Sequence, residues 1–168
     1  MKTFFIKRVI AISFSAAIIL CGLTSCEQDK VEPELNTAPG GGTLSTFKAY
    51  TLSSTDDNEI YGRIVFWKDN ASNTLIQISL YNTAEGEIYP SGIFEGDAEA
   101  ASEEEIKTLY TISGATGEFS PSKFFVISDK TFYDGLDEFD AYVQIFLDDD
   151  VIAVGDVGMN ADPVAEDD

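Results

Sequence analysis

Aspartates that lie close together are the first side chains of this chain that could do chemistry. Asp148, Asp149 and Asp150 follow one another, and Asp156 comes six positions after Asp150. Calcium takes about six to eight oxygen ligands, and closely spaced aspartates in a loop can supply some of them. The sequence contains no complete Asp-x-Asp-x-Asp-Gly loop with a distal glutamate. The three consecutive aspartates are therefore candidate calcium ligands, with solvated turn charges as the alternative interpretation.

A second acidic stretch runs through Glu95, Asp97 and Glu99 to the triplet Glu103 to Glu105. Two carboxylates at a suitable separation can hydrolyse a glycoside. No spacing in this stretch singles out a pair, so a hydrolase that uses carboxylates alone is kept as an alternative function. The expectation is that the protein is not an enzyme and needs no cofactor.

Histidine does not occur in the sequence. This excludes a Ser-His-Asp triad, imidazole ligands for zinc or copper, and the side chain best suited to proton transfer near neutral pH. All 30 acidic residues follow Cys26, whereas three of the ten Lys and Arg precede it, so the formal charge from Cys26 onward is −23. A surface of this charge repels nucleic acid, which we exclude as a partner.

The N-terminal residues have the pattern of a bacterial lipoprotein signal peptide. A basic start with Lys7 and Arg8 precedes an apolar run, and Leu23-Thr24-Ser25-Cys26 resembles a lipobox. Cys21 does not fit because the bulky Leu20 precedes it. We expect residues 1–25 to be the signal peptide and Cys26 to carry a thioether lipid and palmitate. An ordinary signal peptide that leaves Cys26 as a free thiol is the alternative.

Lipidation of Cys26 would leave no thiol for catalysis, metal binding or a disulfide. Residues 26–45 mix acidic residues with proline and a glycine triplet, which is typical of a flexible tether. The acidic residues after Cys26 resemble the surface-export signal of some outer-membrane lipoproteins. We therefore expect a lipid-anchored protein of the bacterial cell envelope, at the outer membrane. Exposure at the cell surface is one interpretation of the acidic residues, and a domain that faces the periplasm is the alternative.

Residues 46–160 have the short alternating runs of an antiparallel all-β domain. Strands are predicted near residues 60–67, 76–81, 123–128, 141–147 and 151–157, with a short helical turn at 131–138 and a tight turn at 148–150. About seven or eight strands without a long helix favour an immunoglobulin-like β-sandwich. Residues 161–168 are predicted to be an acidic tail, frayed from Asn160 onward.

Two further sets of residues are candidates for a site. Tyr61, Arg63 and Trp67 alternate along one strand and could form an exposed binding face for a protein or glycan partner, although core or half-buried packing is the ordinary role of such aromatics. Asp156 lies between Gly155 and Val157. We expect it to be structural, accepting backbone N–H bonds or pairing with Arg63.

The order of segments "GRIVFW", "NTLIQISLYNT", "FDAYVQIFLDDD" and "AVGDVGMNA" resembles a CHRD domain, the module named after chordin that also occurs in bacterial secreted and lipid-anchored proteins. The resemblance covers roughly residues 47–159. It implies a β-sandwich like that of copper-zinc superoxide dismutase.

Family members typically have His-Ile-His where this chain has Gly92-Ile93-Phe94, in the segment "YPSGIFEG". The resemblance thus implies a scaffold without the family's candidate metal site, with Phe94 facing the core. We expect a non-catalytic binding or structural module whose partner is an unknown protein or glycan. A calcium-stabilised adhesion-type domain is the first alternative.

Overall fold

The computed structural model describes residues 36–37, 43–55, 59–100 and 104–164. The predicted signal peptide, Cys26 and most of the predicted tether lie outside these residues. Within them, no helix is long and apolar enough to cross a membrane. The strands are β1 Asn36–Thr37, β2 Thr43–Leu44, β3 Thr46–Ser54, β4 Tyr61–Lys68, β5 Thr74–Tyr81, β6 Ile88–Tyr89, β7 Ser91–Glu95, β8 Glu105–Thr108, β9 Ile112–Ser113, β10 Phe125–Ile127, β11 Asp140–Leu147 and β12 Asp150–Gly158.

Eight of these strands form one curled antiparallel sheet in the order β10-β5-β4-β3-β12-β11-β7-β8. Strands β3 and β4 pair over seven residues, and β4 and β5 over eight. In contrast, β3 and β12 share only two pairs, Ser54 with Ala153 and Ser53 with Val154. We call this short ladder the seam. It joins two four-stranded halves, and the prediction of an all-β sandwich is confirmed.

The main core lies on the inner face of the curled sheet, where the predicted alternation places it. Ile64 and Phe66 of β4 alternate with outward-pointing residues, as do Val143 and Ile145 of β11, and all four are essentially inaccessible to water. Burying an aliphatic or aromatic side chain of this size stabilises the fold by about 1.5 to 3 kcal/mol. The alternating pattern in the sequence is thus the direct cause of the two faces.

A second apolar cluster covers one end of the outer face and changes the interpretation of Trp67. The cluster consists of Leu44, Ala49, Val65, Trp67, Leu75 and Phe124. Trp67 is fully buried in it, and its Nε1 donates a hydrogen bond of 3.2 Å to Oε1 of Gln77. The prediction of an exposed binding face that includes Trp67 is wrong, because Leu44 and Phe124, both distant in sequence from β4, cover this part of the strand.

Tyr61 and Arg63 lie farther along the same face of β4 and are half-buried. The Tyr61 ring stacks on that of Tyr81, with 5.2 Å between the ring centroids. Tyr61 therefore forms a cross-strand pair with the neighbouring strand β5.

The end of the predicted tether belongs to the fold. Strands β1 and β2 pair antiparallel, Asn36 with Leu44 and Thr37 with Thr43, and the Leu44 side chain is buried. The tether was predicted to extend to residue 45, so the ordered domain starts earlier than expected. Apolar contact of Leu44 with the second cluster explains the difference.

Residues 129–139, which we call the closing turn, cover one end of the main core. They contain turns followed by the 3-10 helix Leu136–Glu138, which agrees with the predicted short helical turn. Lys48 forms an ion pair of 2.6 Å with Asp137, and Lys68 forms one of 2.6 Å with Asp134. Both ammonium groups lie over the ring of Tyr133, at 5.4 and 5.7 Å from its centroid. Two lysines from neighbouring strands thus fasten the closing turn to the sheet.

The chain after β12 is not frayed over its described length. Asn160 donates hydrogen bonds to the carbonyl of Gly96 (2.9 Å) and to Asp140 Oδ1 (2.8 Å). Farther on, the backbone N–H of Val164 donates to the carbonyl of Ala49 (2.8 Å). Residues 160–164 are therefore bonded to the folded domain, with Ala161 packed against the main core and Val164 against the second cluster. The expectation of a frayed end from Asn160 is wrong for this part. Residues 165–168 lie outside the described residues.

Candidate binding cleft

A cleft of about 320 Å³ lies on the outer face above the seam. Its floor comes from Thr51 and Ser53 of β3 and from Val154 and Asp156 of β12. Its other lining residues include Ala98, Ala161, Asp162 and Val164. Small-molecule pockets in proteins span roughly 300 to 1,000 Å³, so this cleft has room for one side chain or a ligand of similar size.

Asp156 is the half-buried acidic group of the floor. Its Oδ1 accepts a hydrogen bond of 2.7 Å from the backbone N–H of Ala98. The structural role expected of Asp156, as an acceptor of a backbone N–H, is the arrangement seen here. The alternative, an ion pair with Arg63, stays a prediction. The bond to Ala98 fixes the direction of the carboxylate and ties the loop after β7 to β12.

The loop that supplies Ala98 is shaped by Asp97. Oδ1 of Asp97 accepts hydrogen bonds from the backbone N–H groups of Glu99 (3.0 Å) and Ala100 (2.7 Å), which makes an Asx-type turn. Gly96 precedes it with a φ of +92°, a conformation that favours glycine. Asp97 belongs to the second acidic stretch of the sequence. Its hydrogen bonds thus stabilise the loop whose Ala98 N–H binds Asp156.

The two strands that form the floor approach each other very closely at Gly155. A Cβ atom at this position would lie 2.1 Å from the carbonyl oxygen of Thr51. Any side chain here would therefore force β3 and β12 apart at the seam. The shape of the cleft depends on a glycine that sits directly before its carboxylate.

The charged side chains that line the cleft are both acidic, Asp156 and Asp162. Among the described residues that line it there is no lysine or arginine. The hydroxyl groups of Thr51 and Ser53 add hydrogen-bonding capacity, while Val154, Ala161 and Val164 are apolar. A site of this composition favours a ligand with a positive charge at one end and an apolar body.

The three candidate calcium ligands lie elsewhere. Asp148 and Asp149 form the turn between β11 and β12, Asp150 begins β12, and all three are exposed; Asp148 adopts a φ of +54°. In the described part of the chain, no three acidic, histidine or cysteine side chains come together so that they could hold a metal ion. Calcium binding at these aspartates therefore stays a prediction.

Gly92 and Phe94 also lie on the outer face, which corrects the expectation that Phe94 faces the core. Ile93 between them is 1% exposed and belongs to the main core. The half-buried Phe94 ring lies 5.7 Å from that of Tyr142 and 6.0 Å from that of Phe146, centroid to centroid. Side chains alternate along a strand, so the apolar Ile93 takes the inner face and positions 92 and 94 must take the outer one.

The space beside Gly92 is occupied by a carboxylate. A Cβ at this position would lie 2.7 Å from Oε1 of Glu105, which comes from the edge strand β8. Burial, followed by the charge of Asp97, raises the pKa of the Tyr142 hydroxyl on the same face. Positions 92 and 94 are thus part of an aromatic and acidic outer surface.

Sequence reasoning singled out only Asp156 among the residues of the cleft. Thr51, Ser53, Ala98 and Asp162 are small or common surface residues whose types carry no signal. They meet because β3, the loop after β7 and the chain after β12 converge at the seam. Comparison of the chain with protein-family models, with curated proteins and with solved structures gives no match.

Proposed function

We propose that this protein is a lipid-anchored module of the bacterial cell envelope that binds a partner through the cleft and catalyses no reaction. The observation that carries the binding role is the fixed, half-buried carboxylate of Asp156 in a concave site with an apolar side. Such a combination of one oriented polar group with apolar walls is the usual composition of a recognition site.

The anchor is part of the proposal because of the lipobox-like Leu23-Thr24-Ser25-Cys26. Lipid on Cys26 would hold the domain at a membrane, with the outer membrane and the cell surface as the proposed location. The CHRD-like order of segments supports a domain that serves as a scaffold for contacts. The partner class is a protein or a glycan of the envelope.

The engagement of Asp97 and Asp156 in backbone hydrogen bonds supports a non-catalytic role. Each of these carboxylates holds the loop after β7 in place. A general acid or a nucleophile needs access to its substrate and a partner carboxylate at a defined distance across the scissile bond. Asp97 and Asp156 serve instead to build the wall and the floor of the cleft.

Two experiments on the full chain test this function. Palmitate labelling in growing cells should mark the wild-type protein and leave the Cys26→Ser variant unlabelled, with Cys21→Ser as the matched control that is still labelled. Equal labelling of the wild type and Cys26→Ser would refute the anchor.

The second experiment places a photo-cross-linking amino acid at Ser53, on the floor of the cleft, in intact cells. We expect a discrete adduct from Ser53 and none from the same amino acid at the exposed Ser120, which lies outside the cleft lining. Adduct formation from both positions to the same extent, or from neither, would contradict a binding role for the cleft.

A further inference from the structure

We infer that the cleft receives the side chain of a lysine on a partner protein. This rests on the proposed binding function and specifies the chemistry of its ligand. Three properties of the cleft point to a primary ammonium on an alkyl stem: the sign of its charge, the orientation of its carboxylate and the character of its walls.

The sign of the charge selects a cation. Asp156 and Asp162 both line the cleft, and no cationic side chain is among the described residues that line it. Part of the cationic charge of the domain is engaged elsewhere, since Lys48 and Lys68 pair with the closing turn. Lys130 likewise donates to the carbonyl of Ala71 and to Asn73 Oδ1, both at 2.6 Å. A cation that enters the cleft therefore meets two carboxylates and no cationic side chain among the residues that line it.

The orientation of the Asp156 carboxylate favours ammonium over guanidinium. Oδ1 is already an acceptor for the Ala98 N–H, which leaves Oδ2 as the better-placed acceptor for a ligand. A guanidinium gains most from two parallel bonds to both oxygens of a carboxylate. An ammonium is a compact charge that needs one strong acceptor, and the Thr51 and Ser53 hydroxyls can take its other two protons.

The apolar part of the lining favours an alkyl stem over a sugar. Val154, Ala161 and Val164 line the cleft together with Ala98, and these side chains offer no hydrogen bonds. The methylene groups of lysine can lie along such a surface while the charged end reaches the floor. An amino sugar would bring several hydroxyl groups against the same apolar side chains and lose their hydration without replacement.

Nuclear magnetic resonance of the ¹⁵N-labelled full chain in detergent micelles tests this inference. Nα-acetyl-L-lysinamide is titrated as the probe, and Nα-acetyl-L-norleucinamide serves as its uncharged control of nearly equal shape. We expect the amide signals of Ala98, Val154, Asp156 and Asp162 to shift with lysinamide. The norleucine compound should bind at least about tenfold more weakly, the ratio expected for the loss of roughly 1.4 kcal/mol of charge interaction.

Variants test whether the negative charge of the cleft is responsible for binding of lysinamide. Asp156→Asn keeps an oxygen for the Ala98 N–H and removes the charge. Asp162→Asn removes the second charge from a segment outside the sheet, so it serves if Asp156→Asn does not fold. Each should weaken lysinamide binding by about five- to tenfold. Asp150→Asn is the matched control, with the same charge change in the exposed turn, and should leave the affinity as in the wild type.

Three results would overturn the inference: equal shifts with lysinamide and norleucinamide, unchanged affinity in both cleft variants, or tighter binding of Nα-acetyl-L-argininamide or glucosamine than of lysinamide. Preference for glucosamine would assign the cleft to a glycan. The Ser53 cross-link separates these failures from failure of the proposed function. An adduct at Ser53 without lysinamide binding retains a binding cleft with a different ligand, whereas loss of both refutes the function as well.

Discussion

Asp156 shows how one side chain can serve both the fold and the proposed site. Its Oδ1 holds the Ala98 N–H at 2.7 Å, so the same carboxylate that carries charge into the cleft also fixes the loop that forms its wall. The neighbouring sequence predicts this role, because an aspartate between small residues near a strand end can approach a backbone N–H. The sequence does not predict which N–H group donates this bond, because Ala98 is 58 positions away and donates through its backbone.

Replacement of Asp156 by alanine should destabilise the domain by about 1 to 3 kcal/mol, the range for a hydrogen bond to a charged group whose loss leaves a backbone donor unpaired. Urea denaturation of the full chain in detergent measures this. Asp150→Ala is the control and should change the unfolding free energy by less than about 0.5 kcal/mol, as expected for an exposed position. Equal midpoints for wild type and Asp156→Ala would contradict the structural role.

Burial of a tyrosine hydroxyl gives a prediction for alkaline pH. Desolvation, together with Tyr50, Asp137 and Asp134, raises the pKa of Tyr133 to about 12 from an ordinary value of 10.0. The unfolded chain therefore loses its proton first as pH rises. The contribution to stability is complete below pH 10, falls as pH rises and is lost above about 12.

The loss between pH 10 and pH 12 should reach roughly 2 to 3 kcal/mol, by the relation of about 1.4 kcal/mol per pKa unit. Denaturation of wild type and Tyr133→Phe across this range measures it. The variant should lose less stability over the interval than the wild type does. Parallel curves for wild type and Tyr133→Phe would contradict the assignment.

At the scale of elements, the alternation of apolar and polar residues predicts the strands. It does not predict the segments that cover the outer face of the sheet. The runs at 60–67, 76–81, 141–147 and 151–157 became strands. The first three have the expected inner faces, because a two-residue period fixes which side chains share a face. Whether the outer face is exposed depends on distant segments. Leu44 and Phe124 bury Trp67, and residues 160–164 cover part of β3, neither of which a local pattern contains.

The seam joins the two four-stranded halves of the sheet. Its ladder has two residue pairs, and Gly155 next to it brings β12 into contact with the Thr51 carbonyl. Because the cleft lies directly above, its floor would change shape if the strands separated. The seam therefore connects the stability of the fold with the geometry of the site.

Gly155→Ala should be strongly destabilising, by about 1 to 3 kcal/mol or more, since its Cβ would overlap a backbone oxygen that cannot move alone. Gly135→Ala in the closing turn is the control, because its Cβ would meet nothing closer than 3.5 Å and its φ is −89°. Calorimetric melting should show a lower Tm for the first variant and a nearly unchanged one for the second. A wild-type Tm for Gly155→Ala would contradict the close approach of β3 and β12.

At the scale of the whole molecule, charge is the dominant property. The formal charge of −23 from Cys26 onward keeps the domain soluble and attracts cations without needing a specific metal site. The exposed aspartates 148–150 contribute to this general field. General attraction of cations can be distinguished from a specific calcium site by comparing the effects of calcium and of another divalent cation on the Tm.

Calcium should raise the Tm of the full chain no more than magnesium does at equal ionic strength. A specific site saturated to about 100 times its dissociation constant would add roughly 2.7 kcal/mol to the unfolding free energy. Scanning calorimetry with calcium, with magnesium and with excess chelator makes the comparison. A Tm increase specific to calcium and abolished in Asp149→Asn would contradict this expectation and support the calcium-stabilised alternative.

Hydrogen exchange of the chain in native envelope vesicles, compared with the same chain purified in detergent, tests most directly whether a partner covers the cleft. The expected result is slower exchange in the vesicles at residues 97–100, 153–156 and 160–164, with unchanged exchange at the turn 148–150. Equal exchange of the three cleft segments in both preparations, or protection confined to the turn or to β8, would contradict a partner bound at the cleft.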